Sequence, residues 1–106
     1  MLDLIIKNGQ CYIDGEIKDV DVSIKDGKIQ DIGKIIEEAK DIIDAKGLTV
    51  LPGCIDTQTH FREPGSTDTE DLHSGSRAAI VGGITAVFEM PNTNPPTSTK
   101  KEFQRK

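Results

Sequence analysis

The sequence predicts an α/β fold, in which a β-rich N-terminal segment precedes a strand–helix–strand unit. Residues 20 to 25 alternate apolar and polar side chains, which is typical of a half-buried strand. Glycine-containing turns separate the short apolar runs that precede it and follow it. Beyond Leu51-Pro52-Gly53 the order becomes strand, polar loop, helix and strand. We therefore predict an N-terminal β segment over 1–51 and the start of an α/β unit over 52–106.

The N-terminal segment is predicted to be a small antiparallel sheet. Leu2 to Lys7 form a compact β-rich run, and residues 20–25 and 28–32 flank Asp26-Gly27. Aspartate followed by glycine suits a two-residue hairpin turn, because both central positions need a positive φ. Two further turns are predicted at Asn8-Gly9 and Asp14-Gly15.

The second segment is predicted to contain two parallel strands joined by a helix. A short strand from Cys54 to Asp56 leads into a polar loop over 57–69. Residues 70–82 have helical periodicity, and residues 84–90 form the next strand. Such a unit implies parallel neighbours with a right-handed crossover. The helix is capped by Thr69 or Asp71 and stopped by Gly82-Gly83, and a last short helix begins after Ser98 or Thr99.

Composition excludes several classes of function. The net charge is −5 with acidic and basic residues interspersed, so there is no basic stripe for nucleic acid. The apolar runs are far shorter than the roughly 20 residues that span a bilayer, which predicts a cytoplasmic protein. The two cysteines, Cys11 and Cys54, do not form a C-x-x-C pair, and we expect both to be reduced and structural.

Polar residues follow each predicted parallel strand at its carboxyl end, where α/β folds place their active sites. In an extended segment Asp56, Gln58, His60 and Arg62 would project to one side. Asn92 follows the second strand, after Pro91. From spacing alone, two simpler interpretations stay open: the first group is a solvated polar loop, and Asn92 is an ordinary turn residue.

Several motifs in the second segment resemble the class I dihydroorotases of the amidohydrolase superfamily, which are cyclic amidohydrolases. The combination of Phe61-Arg62-Glu63-Pro64-Gly65 with Met90-Pro91-Asn92-Thr93 favours dihydroorotase over its relatives allantoinase and dihydropyrimidinase. The resemblance runs in order from residue 52 to about residue 98. It rests on residues 52–65 (PGCIDTQTHFREPG), 70–76 (EDLHSGS), 78–85 (AAIVGGIT) and 90–95 (MPNTNP).

The resemblance implies a small β-sandwich segment followed by the first β/α/β unit of a zinc-dependent (β/α)8 barrel. Enzymes of this family interconvert dihydroorotate and N-carbamoyl-aspartate in pyrimidine biosynthesis. Two histidines spaced His-x-His on the first barrel strand bind the zinc, because alternate strand residues point the same way. The resemblance further implies that Arg62 and Asn92 bind the substrate carboxylate and that Asp56 supports the end of the strand.

The chain departs from the family pattern at the metal site. Gln58 stands where the first histidine is expected, and only His60 remains. A neutral amide oxygen is a poor substitute for imidazole on Zn²⁺, and a catalytic zinc usually takes three protein ligands. The other family ligands lie on strands outside these residues. We therefore predict a truncated, inactive remnant with no catalytic residue of its own, in which His73 is an exposed or capping residue of the helix.

Two alternatives from other classes stay open. The chain is a non-catalytic partner, such as one that binds an aspartate transcarbamoylase-like enzyme, or it is part of a split or oligomeric amidohydrolase whose missing ligands come from another chain. The second alternative requires an exposed apolar surface on residues 78 to 90.

Overall fold

The computed structural model describes residues 1–105, which divide into two compact units, Met1–Pro52 and Gly53 onward. The predicted α/β class with a β-rich first segment is confirmed. Whether the units are separate domains stays a prediction. In chain order the first unit holds β1 (Leu2–Ile13), β2 (Glu16–Lys25), β3 (Lys28–Gly33), β4 (Ala39–Asp44) and β5 (Thr49–Val50), and the second holds β6 (Cys54–Thr59), α1 (Leu72–Val81), β7 (Ile84–Glu89) and α2 (Lys100–Arg105).

The first unit is a five-stranded sheet in the order β3-β2-β1-β4, with β5 also paired to β1. β1 is antiparallel to β2 but parallel to β4 and β5. The prediction of an antiparallel sheet is therefore wrong on one side of β1. Hairpin turns identify antiparallel neighbours from local sequence, whereas a parallel strand returns through a longer connection that carries no such signal.

Two of the three predicted turns are confirmed by their backbone angles. The turn between β1 and β2 has φ of 50° at Asp14 and 80° at Gly15. The turn between β2 and β3 has φ of 50° at Asp26 and 72° at Gly27. Aspartate tolerates this left-handed region better than most residues, and glycine enters it without steric cost.

The third predicted turn, Asn8-Gly9, is wrong because these residues form a bulge inside β1. The pairing of β1 with β2 shifts register between Ile6 and Gly9, and Asn8 has a φ of 62°. The backbone N–H of Asn8 donates to Oδ1 of Asp21 at 2.9 Å, and its side-chain Nδ2 donates to Oδ1 of Asp44 at 3.0 Å. These bonds hold a left-handed residue within the strand, so the chain continues instead of reversing.

The buried core of the first unit is small. Leu2, Ile5 and Ile35 form it, with Ala39 packed against them. The backbone N–H of Leu2 donates to the carbonyl of Glu38 at 3.0 Å, which fixes the start of β1 beside the connection to β4. Much apolar surface of this unit stays exposed, including Ile17, Ile29, Ile32, Ile36, Ile42 and Ile43.

The second unit contains the predicted strand–helix–strand arrangement. β6 and β7 are parallel neighbours, and α1 connects them. β6 extends to Thr59, beyond the predicted end at Asp56. Three large apolar side chains of residues 78–90 are exposed, namely Ile80, Val81 and Phe88.

The helix ends follow local capping rules. Asp71 caps α1: its side chain accepts from the backbone N–H of Ser74, whose hydroxyl accepts from the backbone N–H of Asp71. Gly82 caps the other end, and Thr99 starts α2 by accepting from the N–H of Glu102 at 3.2 Å. His73 lies exposed in α1, as expected. No helix of the described chain has the length and apolarity to cross a bilayer.

Both cysteines are free thiols, Cys11 buried and Cys54 exposed. Burial raises the pKa of the Cys11 thiol, and the negative charge of Asp21 raises it further. Cys11 therefore behaves as a small apolar residue of β1, whereas Cys54 at the start of β6 is accessible.

Candidate functional site

The candidate site lies where β6 and β7 end side by side. Thr59 pairs with Glu89 in the parallel register, and the backbone N–H of Met90 donates to the carbonyl of Thr59 at 2.7 Å. Parallel strands bring their carboxyl ends to the same edge of a sheet. The two polar loops that the sequence singled out therefore leave the sheet from adjacent positions.

A second contact joins the two loops beyond the strand ends. The backbone N–H of Asn94 donates to the carbonyl of Pro64 at 3.1 Å. Gly65 has a φ of 102°, and a Cβ at this position would collide with the backbone oxygen of Asn94. Only glycine allows both this conformation and this approach. The Pro64-Gly65 pair thus shapes the loop so that it meets the other one.

The side chains of His60 and Asn92 are joined directly. Nδ1 of His60 lies 2.8 Å from Oδ1 of Asn92, and both residues are exposed. An amide oxygen only accepts hydrogen bonds, so Nδ1 carries the proton in a neutral imidazole. The lone pair of the ring then lies on Nε2.

Arg62 presents an exposed guanidinium in the loop after β6. The residue is exposed, and its side chain makes no hydrogen bond or ion pair within residues 1–105. Its backbone carbonyl accepts from the N–H of Ser66 at 2.9 Å, which holds the loop in a turn. A guanidinium carries five N–H donors in a planar fork, so this side chain is available for a carbonyl or carboxylate group.

Gln58 lies in β6 with an exposed side chain. Its backbone N–H donates to Oδ1 of Asp56 at 3.0 Å. The strand ends at Thr59, and a turn follows in which the backbone N–H of Ser66 donates to the carbonyl of Arg62. That His60 and Arg62 project to the same side as Asp56 and Gln58 stays a prediction. Within residues 1–105 His60 pairs with Asn92 and not with the side chain of Gln58.

The residues present do not by themselves fit a catalytic zinc. Within residues 1–105 no group of three or more His, Cys, Asp or Glu side chains is placed to hold a metal ion. His60 offers one ring nitrogen, and the amide oxygen of Gln58 is a weak ligand for Zn²⁺. A catalytic zinc usually takes three protein ligands, so the donor set of this chain is incomplete.

The loop after β6 is also tied to α1, a connection that sequence reasoning missed. Oε2 of Glu63 accepts from the backbone N–H of Leu72 at 2.6 Å. Gly75 is buried in α1, where a Cβ would lie 3.0 Å from Cδ1 of Phe61. Glu63 belongs to a motif noted in the sequence, but only the path of the loop reveals its partner. The His60–Asn92 pair is not predictable from the sequence for the same reason, because residue types and spacing do not show that the two loops meet.

Comparison with protein families assigns residues 49–105 to the amidohydrolase family. This match covers more than half of the chain and includes His60, Arg62 and Asn92. The chain belongs to the amidohydrolase family. The predicted amidohydrolase resemblance is thereby confirmed, and the first strand–helix–strand unit lies within the matched region.

Named relatives of this amidohydrolase chain include allantoinases and hydantoinases. The allantoinase of Escherichia coli O1:K1 is 47% identical over 105 residues, which is 98% of this chain and 23% of the relative. L-hydantoinase (dihydropyrimidinase) from Arthrobacter aurescens has a TM-score of 0.88 and 36% identity, over 99% of this chain and 24% of that one. D-hydantoinase from Bacillus sp. AR9 has a TM-score of 0.79 and 29% identity, over 97% of this chain and 23% of that one.

The chain spans about a quarter of the length of these relatives, with 23% of the E. coli allantoinase covered. The narrower prediction of a dihydroorotase stays a prediction, because the relatives carry the names of the other two enzyme types.

Proposed function

We propose that this chain forms the N-terminal sheet and the first barrel unit of a cyclic amidohydrolase that opens a five-membered cyclic ureide, of the allantoin or hydantoin kind. The observation that carries this proposal is the 47% identity to an allantoinase over 98% of the chain. The likeness to L-hydantoinase, at a TM-score of 0.88, supports the same substrate class. Both kinds of ring contain carbonyl groups flanked by N–H groups.

The geometry of the two loops suits the recognition of such a ring. The guanidinium of Arg62, which has no partner within residues 1–105, can donate to a ring carbonyl, and Nδ2 of Asn92 can donate to a second one. The free lone pair on Nε2 of His60 adds an acceptor at the same edge of the sheet. Substrate recognition is therefore the task that we assign to this segment.

Opening the ring requires catalytic groups in addition to the side chains of residues 1–105. Within residues 1–105 no set of three metal-ligating side chains is assembled. The hydroxyl of Thr59, at the end of β6, is buried without a hydrogen-bond partner in the same part of the chain. Leaving a buried hydroxyl unsatisfied costs about 1–3 kcal/mol, which favours completion of the site by further groups. We therefore expect the isolated chain to be inactive.

Dihydroorotate is the second candidate substrate. It carries a carboxylate, and the specific observation in its favour is the guanidinium of Arg62, which lacks an anionic partner within residues 1–105. A planar guanidinium binds a carboxylate through two parallel N–H donors. N-carbamoyl-aspartate, the ring-opened product, would use the same contact.

The test is a chimera in which this chain replaces the matched segment of the E. coli allantoinase. We expect the chimera with Gln58→His to open the allantoin ring, and the chimera with native Gln58 to be much slower, because an amide replaces an imidazole ligand. Gln58→Asn is the matched control and should behave like native Gln58. A folded Gln58→His chimera that opens none of allantoin, hydantoin and dihydroorotate would overturn the proposal.

Arg62 distinguishes the two substrate classes in the same chimera. If the natural substrate carries a carboxylate, Arg62→Ala should raise KM for dihydroorotate far more than KM for hydantoin. Equal effects on both substrates would remove dihydroorotate as a candidate. Arg62→Lys retains the charge but not the planar fork, so it should recover only part of the loss.

A further inference from the structure

His60 and Asn92 face each other because two backbone contacts hold their loops in place. The N–H of Met90 donates to the carbonyl of Thr59 at 2.7 Å on one side of the pair. The N–H of Asn94 donates to the carbonyl of Pro64 at 3.1 Å on the other side. The side-chain bond of 2.8 Å between Nδ1 and Oδ1 therefore spans two loops that the main chain already holds together.

A neutral imidazole has two tautomers, and the partner of one ring nitrogen decides which of them is populated. In water an unconstrained histidine side chain prefers to carry its proton on Nε2. Oδ1 of Asn92 has no hydrogen to donate, so its bond to Nδ1 requires the proton on Nδ1. Nε2 has no hydrogen-bond partner within residues 1–105.

We propose that Asn92 is a positioning residue that holds His60 in the Nδ1–H tautomer, leaving Nε2 as the only ring nitrogen with an available lone pair. The tautomer itself does not depend on the proposed function. Only the use of the Nε2 lone pair in recognising a substrate rests on that function. Nδ2 of Asn92 has no hydrogen-bond partner within residues 1–105, so one side chain can both orient the imidazole and donate to a ligand. This role adds to the carboxylate contact that the family resemblance implied for Asn92.

A positioning role differs from a purely structural role in its spectroscopic consequence. If Asn92 only stabilised the loop, its removal would change stability and leave the tautomer of an exposed imidazole unconstrained in either protein. If Asn92 sets the tautomer, its removal changes which ring nitrogen carries the proton. The amide oxygen is the group responsible, so a carboxylate oxygen at the same position should preserve the effect.

The experiment is two-bond ¹H–¹⁵N correlation NMR of the full chain, labelled with ¹⁵N-histidine and recorded at about pH 8. The chain has two histidines, His60 and His73, so His60→Ala assigns the signals. In the native chain we expect Nδ1 of His60 at the shift of a protonated ring nitrogen and Nε2 at the shift of an unprotonated one.

Two variants of Asn92 and one control complete the test. Asn92→Ala should move the His60 shifts towards the Nε2–H pattern of an unconstrained imidazole. Asn92→Asp should keep the native pattern, because its carboxylate still accepts from Nδ1–H. Asn94→Ala should also keep it, because Asn94 contacts the other loop through its backbone N–H.

An Nε2–H pattern for His60 in the native chain would overturn the proposal without any variant. Unchanged His60 shifts in a folded Asn92→Ala chain, or loss of the native pattern in Asn92→Asp, would overturn it as well. The readout does not involve turnover. A chimera that fails to open any cyclic ureide would therefore refute the proposed function while leaving the tautomer result intact.

Discussion

The carboxylate of Glu63 accepts a hydrogen bond from the backbone N–H of Leu72 at 2.6 Å, which ties the loop after β6 to the first turn of α1. Leu72 is the first residue of α1, and this N–H has no acceptor within the helix. A negative charge at this position is also favoured by the positive end of the helix dipole. Glu63 thereby connects the loop that carries His60 and Arg62 to a rigid element.

Glu63→Ala should lower the free energy of unfolding by about 1 kcal/mol, because the N–H at the helix start loses its acceptor. Urea denaturation followed by circular dichroism measures the change. Glu63→Gln retains an acceptor oxygen without the charge and should cost less. Equal losses in the two variants would show that the hydrogen bond to Leu72 does not contribute.

Gly75→Ala should destabilise the chain, although alanine usually improves a helix interior by about 1 kcal/mol relative to glycine. A Cβ at Gly75 would lie 2.9 Å from the carboxylate of Glu70 and 3.0 Å from Cδ1 of Phe61. The carboxylate of Glu70 can turn aside, so the cost comes from the ring of Phe61, which must shift by a few tenths of an ångström. Urea denaturation of the purified variant gives the sign of the effect.

Gly82→Ala is the matched control for that substitution. Gly82 has a φ of −80°, and its nearest neighbours to an added Cβ are carbonyl oxygens at 3.5 and 3.6 Å. We expect no loss of stability here, because both the conformation and the space suit alanine. A gain in stability from Gly75→Ala would contradict the packing argument.

Acid should weaken the start of α1 through Asp71. Hydrogen bonds from Ser74 hold the pKa of Asp71 below its ordinary value of 3.8. The unfolded chain then binds a proton more readily than the folded one, so this contribution to stability is present above pH 3.8 and is lost as the pH falls through the lowered pKa. Urea unfolding at a series of pH values, native chain against Asp71→Asn, measures it.

Asparagine at position 71 keeps the capping acceptor and removes the titration. The stability advantage of the native chain over Asp71→Asn should therefore shrink below pH 3.8. The pKa values of Asp3 and Asp44 are also lowered, through bonds from Lys40 and Asn8 respectively, but these groups titrate in both proteins and cancel. A difference that does not vary with pH would contradict the prediction.

The two thiols should react with Ellman's reagent at different rates. Cys54 is exposed, whereas burial raises the pKa of Cys11 and shields its sulfur. The thiolate is the reactive form, so we expect one fast thiol from Cys54 and one slow thiol that reacts only on unfolding. Cys54→Ser should abolish the fast phase. Two equal rates in the native chain would contradict the structure.

Local sequence determined the helices, strands and turns of this protein more completely than it determined which strands pair with one another. The turns at Asp14-Gly15 and Asp26-Gly27 and the cap at Asp71 depend on a few adjacent residues, and the sequence predicted all of them, with Asp71 as one of two candidates. The order of strand, helix and strand in the second unit was also predicted. These features follow from φ preferences and side-chain periodicity, which act over a few positions.

The tertiary structure alone decided which distant residues meet. Asn8 became a bulge instead of a turn because Asp21 and Asp44 accept its two donors. β1 pairs in parallel with β4 and β5, and no local turn sequence predicts this pairing.

His60 and Asn92 are 32 positions apart and meet only because β6 and β7 pair in parallel register. The sequence thus supplied an imidazole and an amide with separate expected roles. Their hydrogen bond, and with it the free lone pair on Nε2, depends on long-range strand pairing that residue types and spacing do not specify.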